Sequence, residues 1–220
     1  MRPILILSLL CACSHAQILR QILQARPAGS STPAISAVNV CNAIVSGSNC
    51  TVTSIPSGHT LAVVVQTNAT TNTFTLADGA TDTFTQATSA LLSGCGVSQD
   101  IWYVLSTGGS NTTVKVTTSG GGNWFGVVYD ITGVTAFDTG NHVSSAANPN
   151  TPLTTANAIE VLLGVETANT SVTAVGGPWV QQSVINASGW GTLTTSSSGT
   201  YSMPFTSGGS TFCGSAAALK

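Results

Sequence analysis

Threonines alternate with Val, Ile, Leu or Phe along most of this chain, and Gly, Ser and Asn break the alternation roughly every 8–12 residues. Period-two alternation puts every second side chain on one face, so each run reads as a strand with one buried side. Residues 35–40 and 51–55 begin the series. Residues 59–67 (HTLAVVVQT) put Leu61, Val63 and Val65 on one face and Ala62 and Val64 on the other, which predicts a central strand buried on both sides. Residues 73–76 and 82–85 flank Ala77-Asp78-Gly79-Ala80, and an Asp-Gly pair between alternating runs predicts a hairpin. A second hairpin is predicted between residues 100–105 (DIWYVL) and 113–117 (TVKVT), across residues 108–111. Phe125, Val127, Tyr129 and Ile131 then alternate within residues 123–132. Residues 135–155 read mostly as loop, because Asn148-Pro149-Asn150-Thr151-Pro152 does not suit a central strand. Strand patterns resume at 158–166, 179–185, 191–195 and 201–206, and residues 211–219 close the chain with small apolar residues.

No segment of this region has a helical period. The expected fold is all-β, a two-sheet β-sandwich or jelly roll of about 10–12 strands. No repeat of fixed period and no second zone of composition is visible, so residues 34–220 read as a single domain.

The N-terminus differs. Arg2 precedes an apolar stretch from Ile4 to Leu10, and small residues at Ser14 and Ala16 complete a secretory signal over residues 1–16. The stretch is too short for a bilayer-spanning helix, which needs about 20 residues. Leu10-Cys11-Ala12-Cys13 offers the alternative of a lipoprotein signal, with the chain lipid-anchored at Cys13. Residues 17–33 follow as an arm and linker. Ile18, Leu19, Ile22 and Leu23 share one helical face, but eight residues are too few to hold a helix alone in water.

Composition narrows the partners. From Pro27 onward only Lys115 and Lys220 are basic, against seven acidic residues, so this part carries a net charge near −5 (two minus seven). A footprint for nucleic acid or anionic lipid is lacking, and weak self-repulsion leaves self-association open. Four cysteines lie beyond the signal: Cys41, Cys50, Cys95 and Cys213. In an exported chain an even number reads as disulfides. Cys41 and Cys50 flank the turn around Ser46-Gly47-Ser48 and favour a local bridge, which leaves Cys95 for Cys213. They contain no C-x-x-C spacing, and no metal or other cofactor is expected.

Catalytic chemistry is thin. There is no G-x-S-x-G elbow, and beyond the signal only His59 and His142 remain, both read as solvent-facing. Glu160 and Glu166 share a strand face but lie roughly 20 Å apart, too far for a glycosidase pair. Partnership with Asp130 or Asp138 from a neighbouring strand is the remaining route. Asp78, Asp82 and Asp100 lack the dense spacing of a calcium loop and read as turn residues. No catalytic residue is assigned. Trp102 and Trp124 read as packing residues. Trp179 and Trp190, each beside glycines, are the candidates for stacking on a sugar or anchoring a partner.

The runs Ser57-Gly58-His59-Thr60-Leu61-Ala62-Val63-Val64-Val65, Ile101-Trp102-Tyr103, Gly108-Gly109 ahead of Thr113-Val114-Lys115-Val116-Thr117, and Val127-Val128-Tyr129-Asp130-Ile131-Thr132-Gly133-Val134 resemble a β-sandwich module of secreted bacterial and some phage proteins. The resemblance covers nearly the whole domain. Its motifs are structural, and it implies export and a sandwich fold without an activity. The expected function is that of a secreted, non-enzymatic structural, adhesive or surface-assembly protein, with self-association or a surface glycan as the partner. A carbohydrate-binding module and an extracellular glycoside hydrolase with an unrecognised carboxylate pair are the alternatives.

Overall fold

The computed structural model describes residues 32–146, 151–170 and 172–220. The expected signal peptide, lipidation site and arm lie outside the described residues, apart from the linker residues Thr32 and Pro33. In chain order the strands are β1 (Ala34–Val45), β2 (Asn49–Ile55), β3 (Thr60–Thr67), β4 (Phe74–Asp78), β5 (Thr85–Leu92), β6 (Val97–Val104), β7 (Asn111–Thr118) and β8 (Asn123–Thr132). They continue with β9 (Phe137–Ala146), β10 (Pro152–Thr155), β11 (Val161–Ala168), β12 (Val172–Val175), β13 (Val180–Ile185), β14 (Ser188–Thr194), β15 (Gly199–Ser202), β16 (Phe205–Ser207) and β17 (Phe212–Leu219). The fold is the expected all-β sandwich, cut into more and shorter strands than the sequence pattern suggests.

Two five-stranded antiparallel sheets form its centre, ordered β1-β8-β3-β6-β5 and β13-β14-β11-β17-β9. Ala62, Val64, Ile101, Val127 and Tyr129 of the first sheet pack on Leu163, Val165, Trp190 and Ala217 of the second. Each sheet is also covered on its outer face. A three-stranded sheet, β2-β7-β4, sets Val52, Phe74, Val114 and Val116 against Leu61, Val63, Val65 and Trp124. The pairs β10-β15 and β12-β16 flank the other sheet, with Leu153 and Met203 packed on Leu162 and Ala216. This layering explains why β3, β11 and β17 are buried at every position. Their apolar runs, 61–65, 161–165 and 216–219, are what two covered faces require.

The layers correct three expectations. The Asp78-Gly79 segment does not close a hairpin. It carries the chain from β4 in the covering sheet to β5 in the central one, because Phe74 must face the core beneath β4. Residues 100–105 and 113–117 likewise lie in different sheets, with β6 paired to β3 and β5, and β7 paired to β2 and β4. Residues 137–146, expected as loop, form β9. As the edge strand beside β17 it has one ladder to satisfy, which its Gly, Asn and Ser content allows.

A repeat absent from the sequence pattern is written in the topology. Counting the second half from β9, the order β9-β17-β11-β14-β13 repeats β1-β8-β3-β6-β5 strand for strand. The covering pairs β10-β15 and β12-β16 repeat β2-β7 and β4-β7, with the counterpart of β7 broken in two. The registers agree residue by residue. Aligning Leu61 with Leu162 aligns Val64 with Val165, Gly126 with Gly214, Ile101 with Trp190 and Gln86 with Gln181. The irregularities coincide as well. The breaks at Ile35/Ala37, Cys41/Ile44 and Gln86/Thr88 recur at the matching places, Phe137/Thr139, Val143/Ala146 and Gln181/Ser183.

Contacts between the halves are reciprocal, as a two-fold relation requires. Gln66 matches Thr167, and Gln99 matches Ser188. Gln99 Nε2 donates to Gln66 Oε1 at 2.9 Å, and Thr167 and Ser188 hydroxyls bond at 2.6 Å. Across the interface Gln99 Nε2 reaches Thr167 Oγ1 at 2.8 Å, and Ser188 Oγ reaches Gln66 Oε1 at 2.9 Å. All four are buried, so this network fixes the register of one sheet on the other.

The matched glycines serve close packing. A Cβ on Gly126 would lie 2.5 Å from the carbonyl oxygen of Val64, a backbone atom in the central strand. Gly126→Ala is therefore expected to cost about 1–3 kcal/mol. A urea denaturation midpoint unchanged from wild type would show that the ladder yields freely.

Candidate functional site

The tryptophans proposed from sequence are not at the surface. Trp179 is 4% exposed and Trp190 is fully buried. Trp190 belongs to the core between the central sheets, whereas Trp179 lies with Met203 over Gly164 and Gly191. The neighbouring glycines, read as marks of a loop edge, instead make room for large side chains. Neither indole offers a face to a ligand.

The acidic residues are engaged within the fold. Asp138 and Glu160 are brought together, one of the partnerships left open by the sequence. Asn157 Nδ2 donates to both, at 2.9 and 2.8 Å, and Lys220 Nζ lies 3.2 Å from Asp138. Burial, followed by the Asp138 charge, lifts the Glu160 carboxyl. Burial also works to lift Asp138, but the Ala156 N–H and Lys220 outweigh it and hold Asp138 below the usual range. Glu160 is fully buried and both carboxyls share one amide donor, so the pair does not face across a cleft.

Asp130 instead bonds His59 Nδ1 at 2.7 Å, a contact the sequence reading missed. His142 is exposed on β9. Asp78 Oδ1 accepts from the N–H groups of Ala80 and Asp82, whereas the Asp82 carboxylate accepts from Gly108 N and Asn111 Nδ2. The Asp78 bonds close a local turn, whereas those of Asp82 tie its loop to the one before β7. Among the described residues no cluster of three or more His, Cys, Asp or Glu is placed to hold a metal ion. Glu166 is buried beside Thr151, whose N–H it accepts at 2.6 Å, and burial lifts its carboxyl to about 7.

Disulfides join Cys41 to Cys50 and Cys95 to Cys213. The first ties β1 to β2 across two sheets. The second fastens the short turn Ser93–Cys95 to β17, and so links the two halves. Two disulfides point to an oxidising environment. Among the described residues no helix is long and apolar enough to cross a membrane.

The remaining candidate is a surface rather than a cleft. The central sheets end in β1 and β5, and in β13 and β9. On one side β5 and β9 lie against each other. On the other side β1 and β13 meet only sparingly, and both are free of charged residues and proline. Among the described residues, three of the four large exposed apolar side chains fall on these two strands: Val40 and Val45 on β1, and Val180 on β13. Lys115 lies on β7 in the middle of the covering sheet and guards neither edge.

Comparison with protein-family models, curated proteins and solved structures gives no match. The resemblance seen in the sequence therefore carries the sandwich fold, and no family or source.

Proposed function

We propose that this protein is a secreted, non-enzymatic β-sandwich that acts by assembling into larger structures, with a second copy of itself as the first partner. The β1/β13 side carries the proposal. Edge strands present unpaired N–H and C=O groups, and natural sheets guard them with lysine, proline or a covering segment. Here β1 and β13 have no charge and no proline, and they expose Val40, Val45 and Val180. Bulges interrupt both strands, which leaves the stretch around Val38 to Cys41 as the regular part of β1.

Secretion accords with the N-terminal signal pattern and the two disulfides. The low net charge opposes association only weakly. The paired carboxyls Asp138 and Glu160 are turned to each other and to Lys220, which gives the hydrolase alternative no support.

Light scattering on the chain beginning at Gln17 should show a rise in mass with concentration. Val40→Lys with Val180→Lys should return it to the monomer without lowering the melting temperature, since both side chains are exposed. Removal of residues 17–33 separates edge pairing from pairing through the arm. A strict monomer with and without those residues, at all concentrations, ends the proposal.

A further inference from the structure

The two matched halves serve as controls for each other, and they differ sharply at one place. In the second half Gly189 and Gly191 stand on the outer face of β14. A Cβ on Gly189 would meet Val172 and Val175 of the covering strand β12 at 3.1 and 3.0 Å. One on Gly191 would meet Met203 at 2.7 Å, with Val175 and Trp179 close behind. Side chains from above therefore settle onto the bare strand and seal that half.

In the first half the registers put Asp100 and Trp102 at these two positions, and Phe84 where the second half has Trp179. Trp102 and Phe84 occupy this place and pack, with Leu76 of β4, against the core beneath the covering sheet. An open hollow lies beside them, lined by Thr75, Leu76, Asp82, Thr83, Phe84 and Trp102. Trp102 is half-buried and is anchored rather than loose. Its Nε1 donates to Asp100 Oδ2 at 3.1 Å, and Gln86 Nε2 donates to the same oxygen at 2.6 Å. Asp100 is 3% exposed, so the support for the indole is itself fixed. Folding does not demand this arrangement, because the matched half closes over glycine.

We propose that the hollow over β6 is a binding site for an uncharged oligosaccharide, with Trp102 and Phe84 as its stacking wall. Pyranose rings present C–H faces to aromatic rings and hydroxyls to their rim. Here the rim is Thr75, Thr83 and Asp82: two hydroxyls, a carboxylate already held by Gly108 N and Asn111 Nδ2 with acceptor sites to spare, and no cation. The net negative charge of the chain disfavours acidic glycans. The site is separate from the β1/β13 edge, so it stands whether or not the protein assembles.

Iodide quenching of tryptophan fluorescence tests it directly. Trp124, Trp179 and Trp190 are buried, so quenching reports Trp102. The probes are cellohexaose, chitohexaose, laminarihexaose and maltohexaose. At least one should protect Trp102 saturably, with a Kd between micromolar and millimolar. Trp102→Ala should abolish binding by calorimetry. Thr83→Arg places bulk over the hollow from an exposed position, leaves the Trp102 anchor intact, and should weaken binding about tenfold or more. The proposal is overturned if none of the four protects at millimolar concentration, or if Thr83→Arg binds as well as wild type.

Discussion

Replacing Cys95 and Cys213 together by alanine should cost about 5 kcal/mol, the largest loss from any single bridge in this chain. The bridge spans 118 residues, against 9 for Cys41–Cys50. If a cross-link acts by restricting the unfolded chain, its value grows with the logarithm of the loop, giving about 5 kcal/mol for the long loop and about 2.5 for the short one. The ordering of the two losses follows from the loop lengths alone. Cys41, Cys50 and Cys213 are all buried, so the cost of truncation enters both variants and largely cancels in the comparison. The long bridge also ties the two halves together, whereas the short one lies within the first. At about 2–4 °C per kcal/mol for a domain of this size, its loss should lower the melting temperature by roughly 10–20 °C. Urea and thermal melts of the two double variants decide the matter. Equal losses, or a larger loss for the Cys41–Cys50 variant, would refute the loop-length account.

The short bridge and the central strand were legible because both depend on near neighbours. Nine residues around a Gly-Ser turn bring Cys41 to Cys50 whichever sheets they join. An unbroken apolar run such as Ala62 to Val65 requires cover on two sides in any fold. The sheet assignments were hidden for the converse reason. An Asp-Gly turn fixes local backbone, but whether it closes a hairpin or crosses between layers depends on what Phe74 packs against, far along the chain.

The duplication was hidden because few matched pairs keep their identity. Leu61 with Leu162, Val64 with Val165 and Gly126 with Gly214 do so, whereas Trp102 answers to Gly191 and Gln66 to Thr167. Strand order and bulge positions survive substitutions that erase the sequence pattern. Trp179 and Trp190 were misplaced for a related reason. A glycine one strand away makes space for an indole, and sequence proximity does not reveal which glycine that is.

The protein should be more stable in mild acid than at pH 8, with Glu166 the largest single contributor. Its side chain is buried on β11, where Gly214 on the neighbouring strand leaves room for it beside Thr151. Burial lifts its carboxyl to about 7, against hydrogen bonds from Thr151 that favour the charged form. Geometry agrees with a held proton. Among the described residues Thr151 Oγ1 is buried without another partner, and this hydroxyl can turn from donating to the carboxylate to accepting from a protonated Glu166. An acid whose folded pKa exceeds its unfolded value gives stability that is full below the unfolded pKa, near 4.5, and is lost as pH rises through the folded one. The loss therefore falls between about pH 4.5 and 7 and amounts to about 3 kcal/mol. Asp100, lifted by burial to about 6, adds a loss of the same sign between about pH 4 and 6, and Glu160, lifted by burial, adds to it in the same direction. Asp138, held low, acts oppositely and only in stronger acid. Glu166→Gln keeps the shape and removes the titration, so it should melt above wild type at pH 8 and near it at pH 4.5. Thermal melts across that range test the assignment, and a Glu166→Gln variant that melts below wild type at pH 8 with the slope retained would refute it.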